Sequence, residues 1–454
     1  MKHWVRKLLR FKRPGLVAIG LLFVAACATV GTTVTSKEWT SRATLQSQGI
    51  VKDLGGKRIQ ERYPFGGFGA DNFEQWPTFA AGSPAYPPPK KGQMPAGIKG
   101  DPKKGQALMR GPCTACHLIP DAAVWPAGNV GPDLRTIGHR GLTDAHLYQV
   151  IYDARVVFGE TSPMAPFGAS GMWTAQQIVD VVAYLQTLKG NPPGVPDKVT
   201  DDKQWNPFTR DVVKPDYGDP LDLTANPVLG LADSVAVPLW RKPGPKGQQS
   251  CAGCHGNIGA ADAQRPLGVI ASMAGVGARY PKWIARHSRM MSVEDFLAVH
   301  APETSGHEMP SQGEQNLTMS ILVKSQSNGM PYQIDLKDAN VAAAVKRGQE
   351  LFQRRVGQRG QSCSDCHTAR GGGNKFLGGR FLADVEKDAM VNHPYWRTAW
   401  QRPIDIRIRM QWCMTPLLAN MLPGDAPEYA DLETFLISKQ TQRGDKLLVP
   451  RISH

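Results

Sequence analysis

An all-α chain of three successive small helical domains is what the sequence predicts, on three observations. The pentapeptide C-x-x-C-H occurs three times in 454 residues, as Cys113-Thr-Ala-Cys116-His117, Cys251-Ala-Gly-Cys254-His255 and Cys363-Ser-Asp-Cys366-His367. The motifs begin 138 and 112 residues apart, a spacing of separate domains. Helical apolar patterns lead into and close the segments around them. Two thiols followed at once by an imidazole form the pattern of covalent c-type haem attachment: the thiols bond to the porphyrin vinyl groups and the imidazole ligates the iron. Zinc sites or redox C-x-x-C pairs leave unexplained why a histidine follows every second cysteine. Three cytochrome c-like domains are therefore expected, holding three haems through Cys113, Cys116, Cys251, Cys254, Cys363 and Cys366, with His117, His255 and His367 on the irons.

The N-terminus says where this chemistry takes place. Residues 1–27 read as a signal peptide or a lipoprotein signal and anchor: Lys2, Arg6, Lys7, Arg10, Lys12 and Arg13 precede an apolar run from Leu16 to Val30. Val24-Ala25-Ala26-Cys27 has the form of a lipobox, which makes Cys27 the lipidated first residue; an uncleaved anchor from Leu16 to Val34 is the alternative. Both place the haem domains in the periplasm, tethered to a membrane. Removal of residues 1–26 lowers the formal charge from +14 to about +8, enough to steer small anions or an acidic protein. Basic and aromatic residues are not interleaved as nucleic-acid binding requires, so no nucleic-acid partner is expected.

Along the chain, residues 28–99 are rich in Gly, Pro and Lys and read as an extended arm without chemistry. The first domain spans residues 100–190. Asp101-Pro102 opens its leading helix, and Thr174-Ala-Gln-Gln177 is a capping box for its closing one. Between them, two prolines stiffen a loop around Met164, the expected distal ligand, with Met172, His139 and His146 as alternatives. Residues 191–226 form a linker. The second domain spans 227–338, where Ser292 to His300 reads as a helix ending in a histidine; His300 is the expected distal ligand, ahead of Met309, His307 and His287. The third spans 339–454, with a leading helix through Val345–Phe352 and a closing one through Pro427–Ile437.

Cys413 is left over. It follows Arg407-Ile-Arg409-Met-Gln-Trp, and on a helix Arg409 and Cys413 share a face, where a guanidinium favours the thiolate. A thiolate is both a nucleophile and a ligand for iron. The competing reading is a small packed hydrophobe.

Cys113-Thr-Ala-Cys-His-Leu-Ile-Pro120, Val130-Gly-Pro-Asp-Leu134, Met164-Ala-Pro-Phe-Gly168 and Asp180-Val-Val-Ala-Tyr-Leu185 resemble SoxX, a mono-haem cytochrome of bacterial sulfur oxidation. Ser250–Gly256, Arg279–Lys282, Gly329–Pro331, Tyr395–Gln401 and the arginines before Cys413 are similar to di-haem SoxA. The resemblance covers residues 100–454 and implies a SoxX and SoxA fusion, an L-cysteine S-thiosulfotransferase. Such an enzyme joins thiosulfate oxidatively to a cysteine of the SoxYZ carrier and passes two electrons to an acceptor cytochrome c. It further implies that Cys413 is the distal cysteine of the active-site haem, able to bear an extra sulfur, and that Arg409, with Arg407 beside it, receives the anion by paired hydrogen bonds. A thiolate on the third haem and methionine on the first would run electrons towards the SoxX-like end. Two departures stand out: His300 where the family has a cysteine, and Leu418 where it has a further arginine. Tetrathionate formation at the same site, and plain electron transfer with a structural Cys413, are the competing functions.

Overall fold

The computed structural model describes residues 76–121, 127–190, 226–378, 380–397, 401–419, 421–449 and 451–453. The signal segment, Cys27, most of the arm and residues 191–225 of the linker lie outside the described residues. Among the described residues, no helix is long and apolar enough to cross a membrane.

The chain is mostly helical. Its first unit holds α1 (Pro102–Met109), α2 (Asp144–Asp153), α3 (Arg155–Phe158) and α4 (Ala175–Thr187). The Asp101 carboxylate accepts from the N–H groups of Lys103 and Lys104, with Pro102 pre-set for the first turn. The expected capping box of Thr174 and Gln177 forms both its bonds. Where α1 crosses α4, a Cβ on Gly105 would lie 2.1 Å from the Asp180 carbonyl oxygen, so glycine sets the distance of approach.

The second unit holds α5 (Pro227–Arg241), α6 (Cys251–His255), β1 (Lys282–Ile284), β2 (Arg289–Met291), α7 (Val293–Thr304) and α8 (Glu314–Ser325). The third holds α9 (Ala339–Gln353), α10 (Cys363–His367), β3 (Phe376–Leu377), β4 (Arg380–Phe381), β5 (Tyr395–Arg397), β6 (Arg402–Ile404), α11 (Ile406–Leu417), α12 (Pro427–Arg443) and β7 (Arg451–Ser453). The α9–α12 crossing repeats the first: a Gly348 Cβ would lie 2.1 Å from the Asp431 carbonyl oxygen.

Two findings modify the expectation of three all-α units in series. Among the described residues there are three short β-ribbons, with β5 flanked by antiparallel β6 and parallel β7. Strands of two or three residues are too short to show a period of two in sequence. The second and third units also share one hydrophobic core, running from Leu229 and Met319 to Phe352 and Phe435, while the first keeps its own around Met109, Ile178 and Leu185. From Asn316 to Ser325 every residue of α8 is buried, which fits a helix enclosed between two units.

The described part of the arm, from residue 76, forms no helix or strand and is docked on two units. Phe79 enters the shared core. Tyr86 donates to the Gln358 carbonyl and Arg354 to that of Ser83 on the third unit. Arg155 donates to the Pro87 carbonyl, and the Lys90 N–H reaches Asp153, on the first. The arm thus straps two units together.

Candidate haem sites and the Cys413 site

Two of the three motif histidines are prepared for iron in ways that do not depend on their sequence pattern alone. His117 Nδ1 lies 2.7 Å from the Pro132 carbonyl oxygen and His367 Nδ1 2.8 Å from that of Ala383. A ring that donates through Nδ1 is held in the tautomer whose Nε2 lone pair is free for a metal. Burial pushes His367 down to about 4, so it remains neutral, as a ligand must. A Gly131 Cβ would sit 2.3 Å from His117 Cε1, so the Val130–Leu134 turn can lie against the ring only with glycine there. Among the described residues no cluster of three or more His, Cys, Asp or Glu side chains could hold a bare metal ion.

His300, on α7, faces His255, on α6, with ring centroids 6.0 Å apart. Two imidazoles on opposite sides of one iron place their ring centres about 6 Å apart: two metal–nitrogen bonds of about 2 Å, plus the distance from each nitrogen to its ring centre. Phe296 stacks on His300 at 4.8 Å and fixes its plane. Burial, and then His255, lower the His300 pKa. His307 donates through Nε2 to the Lys242 carbonyl oxygen at 3.0 Å and Met309 is sealed in the core, so neither competes well. In the first unit Met164 lies half-buried against the core, and Met172 packs there too. His139 is engaged with the Lys189 carbonyl at 2.6 Å, which takes it out of contention.

α11 begins where the Asp405 carboxylate caps the Ile408 N–H. One turn separates Arg409 from Cys413, and Arg409 Nη1 donates to Cys413 Sγ at 3.0 Å. Cys413 is close enough to Cys363 of the third motif to raise the pKa of that thiol, after burial. Trp412 gathers guanidinium groups: Arg409 at 4.5 Å, Arg380 at 4.6 Å and Arg397 at 5.7 Å from its ring centre. Burial and then the Arg409 charge lower the pKa of Arg380; Arg397 is lowered first by burial, with Arg409 and Arg380 adding to it. Like charges held this closely create a potential that an anion relieves. Arg380 and Arg397 were not singled out from the sequence; they lie 33 and 16 positions before Cys413 on separate strands, with no local spacing to connect them.

Arg407 is a correction. It was expected to receive an anion beside Arg409, but it is only 2 % exposed and its guanidinium is committed to Asp295 (2.7 Å), Glu433 (3.0 Å) and the Gly424 carbonyl. Two positions along a helix turn a side chain to another face, and there Arg407 ties α11 to α7 and α12. Leu418 ends α11 in the left-handed region, φ 54°, and serves as a cap.

The first and third units meet around their motifs. The Asn129 N–H donates to the Phe376 carbonyl at 3.0 Å, and the Gly378 N–H to that of Ala115 at 2.9 Å, inside the first motif. The thiol of Cys366 is raised by burial and then by Cys116 across the junction.

Comparison with known proteins finds two cytochrome c domains in the chain. The family described as SoxA/TsdA, cytochrome c domain, matches residues 236–332, and the cytochrome c family matches residues 102–189. L-cysteine S-thiosulfotransferase subunit SoxA of Pseudaminobacter salicylatoxidans is 28 % identical over 232 residues, which are 50 % of this chain and 73 % of that protein. A cytochrome c-553-like protein of Synechocystis sp. is 30 % identical over 91 residues, 20 % of this chain and 72 % of that one. The crystal structure of SoxXA from P. pantotrophus aligns at 23 % identity with a TM-score of 0.43, covering 54 % of this chain and 85 % of that one. The two family matches hold the first and second motifs; Cys363–His367 lies beyond both.

Proposed function

We propose that this chain, which belongs to the SoxA-type c-type cytochromes, is a periplasmic tri-haem enzyme that joins thiosulfate oxidatively to a cysteine of a SoxYZ carrier. The observation that carries the reading is the Arg409–Cys413 contact at 3.0 Å beside Cys363, in a cluster of arginines around Trp412. The ligand pairs are His117 with Met164, His255 with His300, and His367 with Cys413. When bound, the haems supply the acceptor for two electrons, which pass onward to an acceptor cytochrome c.

The residues do the rest. Arg409, Arg380 and Arg397 draw in the thiosulfate dianion and hold its sulfonate oxygens by charge-assisted hydrogen bonds. Thiosulfate's outer sulfur bonds to the Cys413 thiolate, giving Cys413–S–S–SO3⁻ and releasing two electrons. The carrier thiolate then attacks the sulfur that bears the sulfonate. The new bond forms as the bond to Cys413 breaks, which leaves the S-thiosulfonated carrier and returns Cys413 as thiolate; the carrier thiol's proton goes to solvent. If a second thiosulfate takes the carrier's place, the same two steps give tetrathionate, and the family model's joint description of SoxA and TsdA favours keeping that reading in view.

Purified holoprotein mixed with thiosulfate, with and without SoxYZ, tests this. Haem reduction should be accompanied by a carrier mass gain of one thiosulfonate group, and the protein's own mass should exceed the polypeptide's by three haems. Turnover without carrier, with tetrathionate as product, would replace the leading reading with the second. No thiosulfate-dependent reduction would leave an electron-transfer cytochrome.

A further inference from the structure

Met164 sits on a loop whose outer side is gripped by the other half of the molecule. Arg355, at the end of α9, donates through Nη2 to the carbonyls of Glu160 and Ser162, both at 2.8 Å. Gln361 donates to the Pro163 carbonyl at 2.7 Å, the residue before Met164. Arg370 donates to Thr161 Oγ1 at 2.9 Å, and Gln358 to the Ser170 carbonyl at 2.9 Å. The first unit's ligand loop is therefore anchored by residues 355–370 of the third, the stretch that contains the third haem motif.

Arg355 also turns inward. Its Nη1 lies 3.2 Å from Asp365 Oδ2, within Cys363-Ser-Asp365-Cys366, and the same carboxylate caps the Ser362 N–H at 2.9 Å. One guanidinium, 15 % exposed at the side chain, thus spans from the loop that carries Met164 to the Cys363–His367 helix, the two elements that would hold the first and third haems. A planar fork with donors on two edges suits this task; an ammonium has one nitrogen and cannot serve both edges.

We propose that Arg355 is a positioning residue that presents Met164 to the first iron and ties that ligation to the third haem motif through Asp365. The proposal rests on Met164 being the first haem's distal ligand. Two carbonyl contacts and one ion pair restrain the loop, so their loss lets the sulfur leave the iron for part of the time. Methionine ligation raises a haem's potential, and its partial loss lowers it.

The test uses the full-length holoprotein. Arg355→Met and Arg355→Lys should both weaken the sulfur-to-iron charge-transfer band of the first haem, Met more than Lys. At fixed poise, Arg355→Met should shift that haem's reduced-to-oxidised ratio about tenfold towards oxidised, equivalent to roughly 59 mV for a one-electron couple. The second haem's spectrum should be unchanged. An Arg355→Met protein with three haems and the parental band and potential would overturn the proposal. Should Arg355→Met fail to fold, Gln361→Ala decides on the same readout: a weaker band supports the anchored loop, and a parental band overturns it. Met164→Ala separates the premise, because a band that survives there removes Met164 as ligand and the proposal with it, whereas a band lost there but intact in the Arg355 variants removes the proposal alone.

Discussion

The second and third haem motifs are built on nearly the same scaffold and face different chemistry. Each is a five-residue helix, Cys251–His255 or Cys363–His367, opened by a serine whose side chain caps the third N–H. Across from the second lies α7, which offers His300 braced by Phe296, with the Arg286–Glu303 ion pair as the charges beside it. Near the third lies α11, which offers Cys413 with Arg409 on its sulfur and a cluster of cations around Trp412. On the function proposed, the element placed against the attachment helix, rather than the helix itself, separates a site that only passes electrons from one that handles sulfur. The two distal helices are also joined: Arg407 of α11 holds Asp295 of α7.

The comparison breaks most completely at Cys413. Replacing it by serine should eliminate thiosulfate turnover while three haems remain attached, because oxygen is a harder ligand for this iron and forms no bond to the outer sulfur of thiosulfate of the kind the carrier can displace. Parental thiosulfonation of the carrier by Cys413→Ser would remove it as the catalytic sulfur.

Arg407→Met strikes the joint between the two helices. Removing Arg407 from this buried ionic network takes Glu433's ion-pair partner away and leaves Asp295 only Arg289 at 3.4 Å, and the expected loss is about 3–5 kcal/mol of stability at neutral pH. Burial already lifts Glu433 to about 7 even with Arg407 beside it. A carboxyl whose folded pKa is raised binds its proton more tightly in the native state, so its contribution falls as pH rises through that value and recovers below it. The deficit of Arg407→Met measured by denaturant titration should accordingly shrink towards about pH 5. A deficit that is small, or that grows on acidification, would contradict the buried network.

Arg409→Ala should act on binding. A hydrogen bond to a charged group contributes about 1.5–3 kcal/mol, roughly ten- to a hundredfold in affinity, so KM for thiosulfate should rise by that order and activity recover at high thiosulfate. Exposed Arg380 contributes less and is screened by salt; Arg380→Ala should raise KM only a few-fold, at about 0.2–1 kcal/mol. Equal effects from the two would argue against a site graded from Arg409 outward.

What was legible in the sequence follows the range of each signal. The haem motifs, the Thr174 and Gln177 capping box and the Arg409–Cys413 pair are local, three or four residues apart; the capping box and the Arg409–Cys413 contact form as read. His300 could be singled out because Ser292 to His300 reads as a helix, and α7 carries the histidine to within 6.0 Å of the His255 ring. Arg407 was misread because its partners lie 112 and 26 positions away. The docking of the arm was missed for the same reason: Tyr86 meets Gln358 across 272 positions, through a backbone carbonyl that no side-chain pattern marks. Arg380 and Arg397 reach Trp412 only because short strands fold back upon α11, and strands of that length carry no periodicity.

The smallest effect on turnover is expected from the other half of the comparison. His300→Ala removes the imidazole that faces His255 at 6.0 Å, and nothing else nearby replaces it readily, since Met309 is sealed in the core and His307 is bound to the Lys242 carbonyl. The second haem should therefore change from a low-spin to a high-spin spectrum, with the first and third unaltered. On the function proposed, electrons released at Cys413 have a direct way out that bypasses the second motif: Cys366 and Cys116 are electrostatic neighbours across the junction, and the Gly378 N–H bonds directly to the Ala115 carbonyl of the first motif. Thiosulfate turnover by His300→Ala should thus stay within about twofold of the parent, a change of under about 0.5 kcal/mol in the barrier. A low-spin second haem in that variant would transfer the ligand role to His307 or Met309. A large fall in turnover with the spectrum changed as expected would instead place the second haem on the electron path, and the contrast between a histidine-faced and a cysteine-faced motif would become one of sequence in a relay, with both needed for each catalytic cycle.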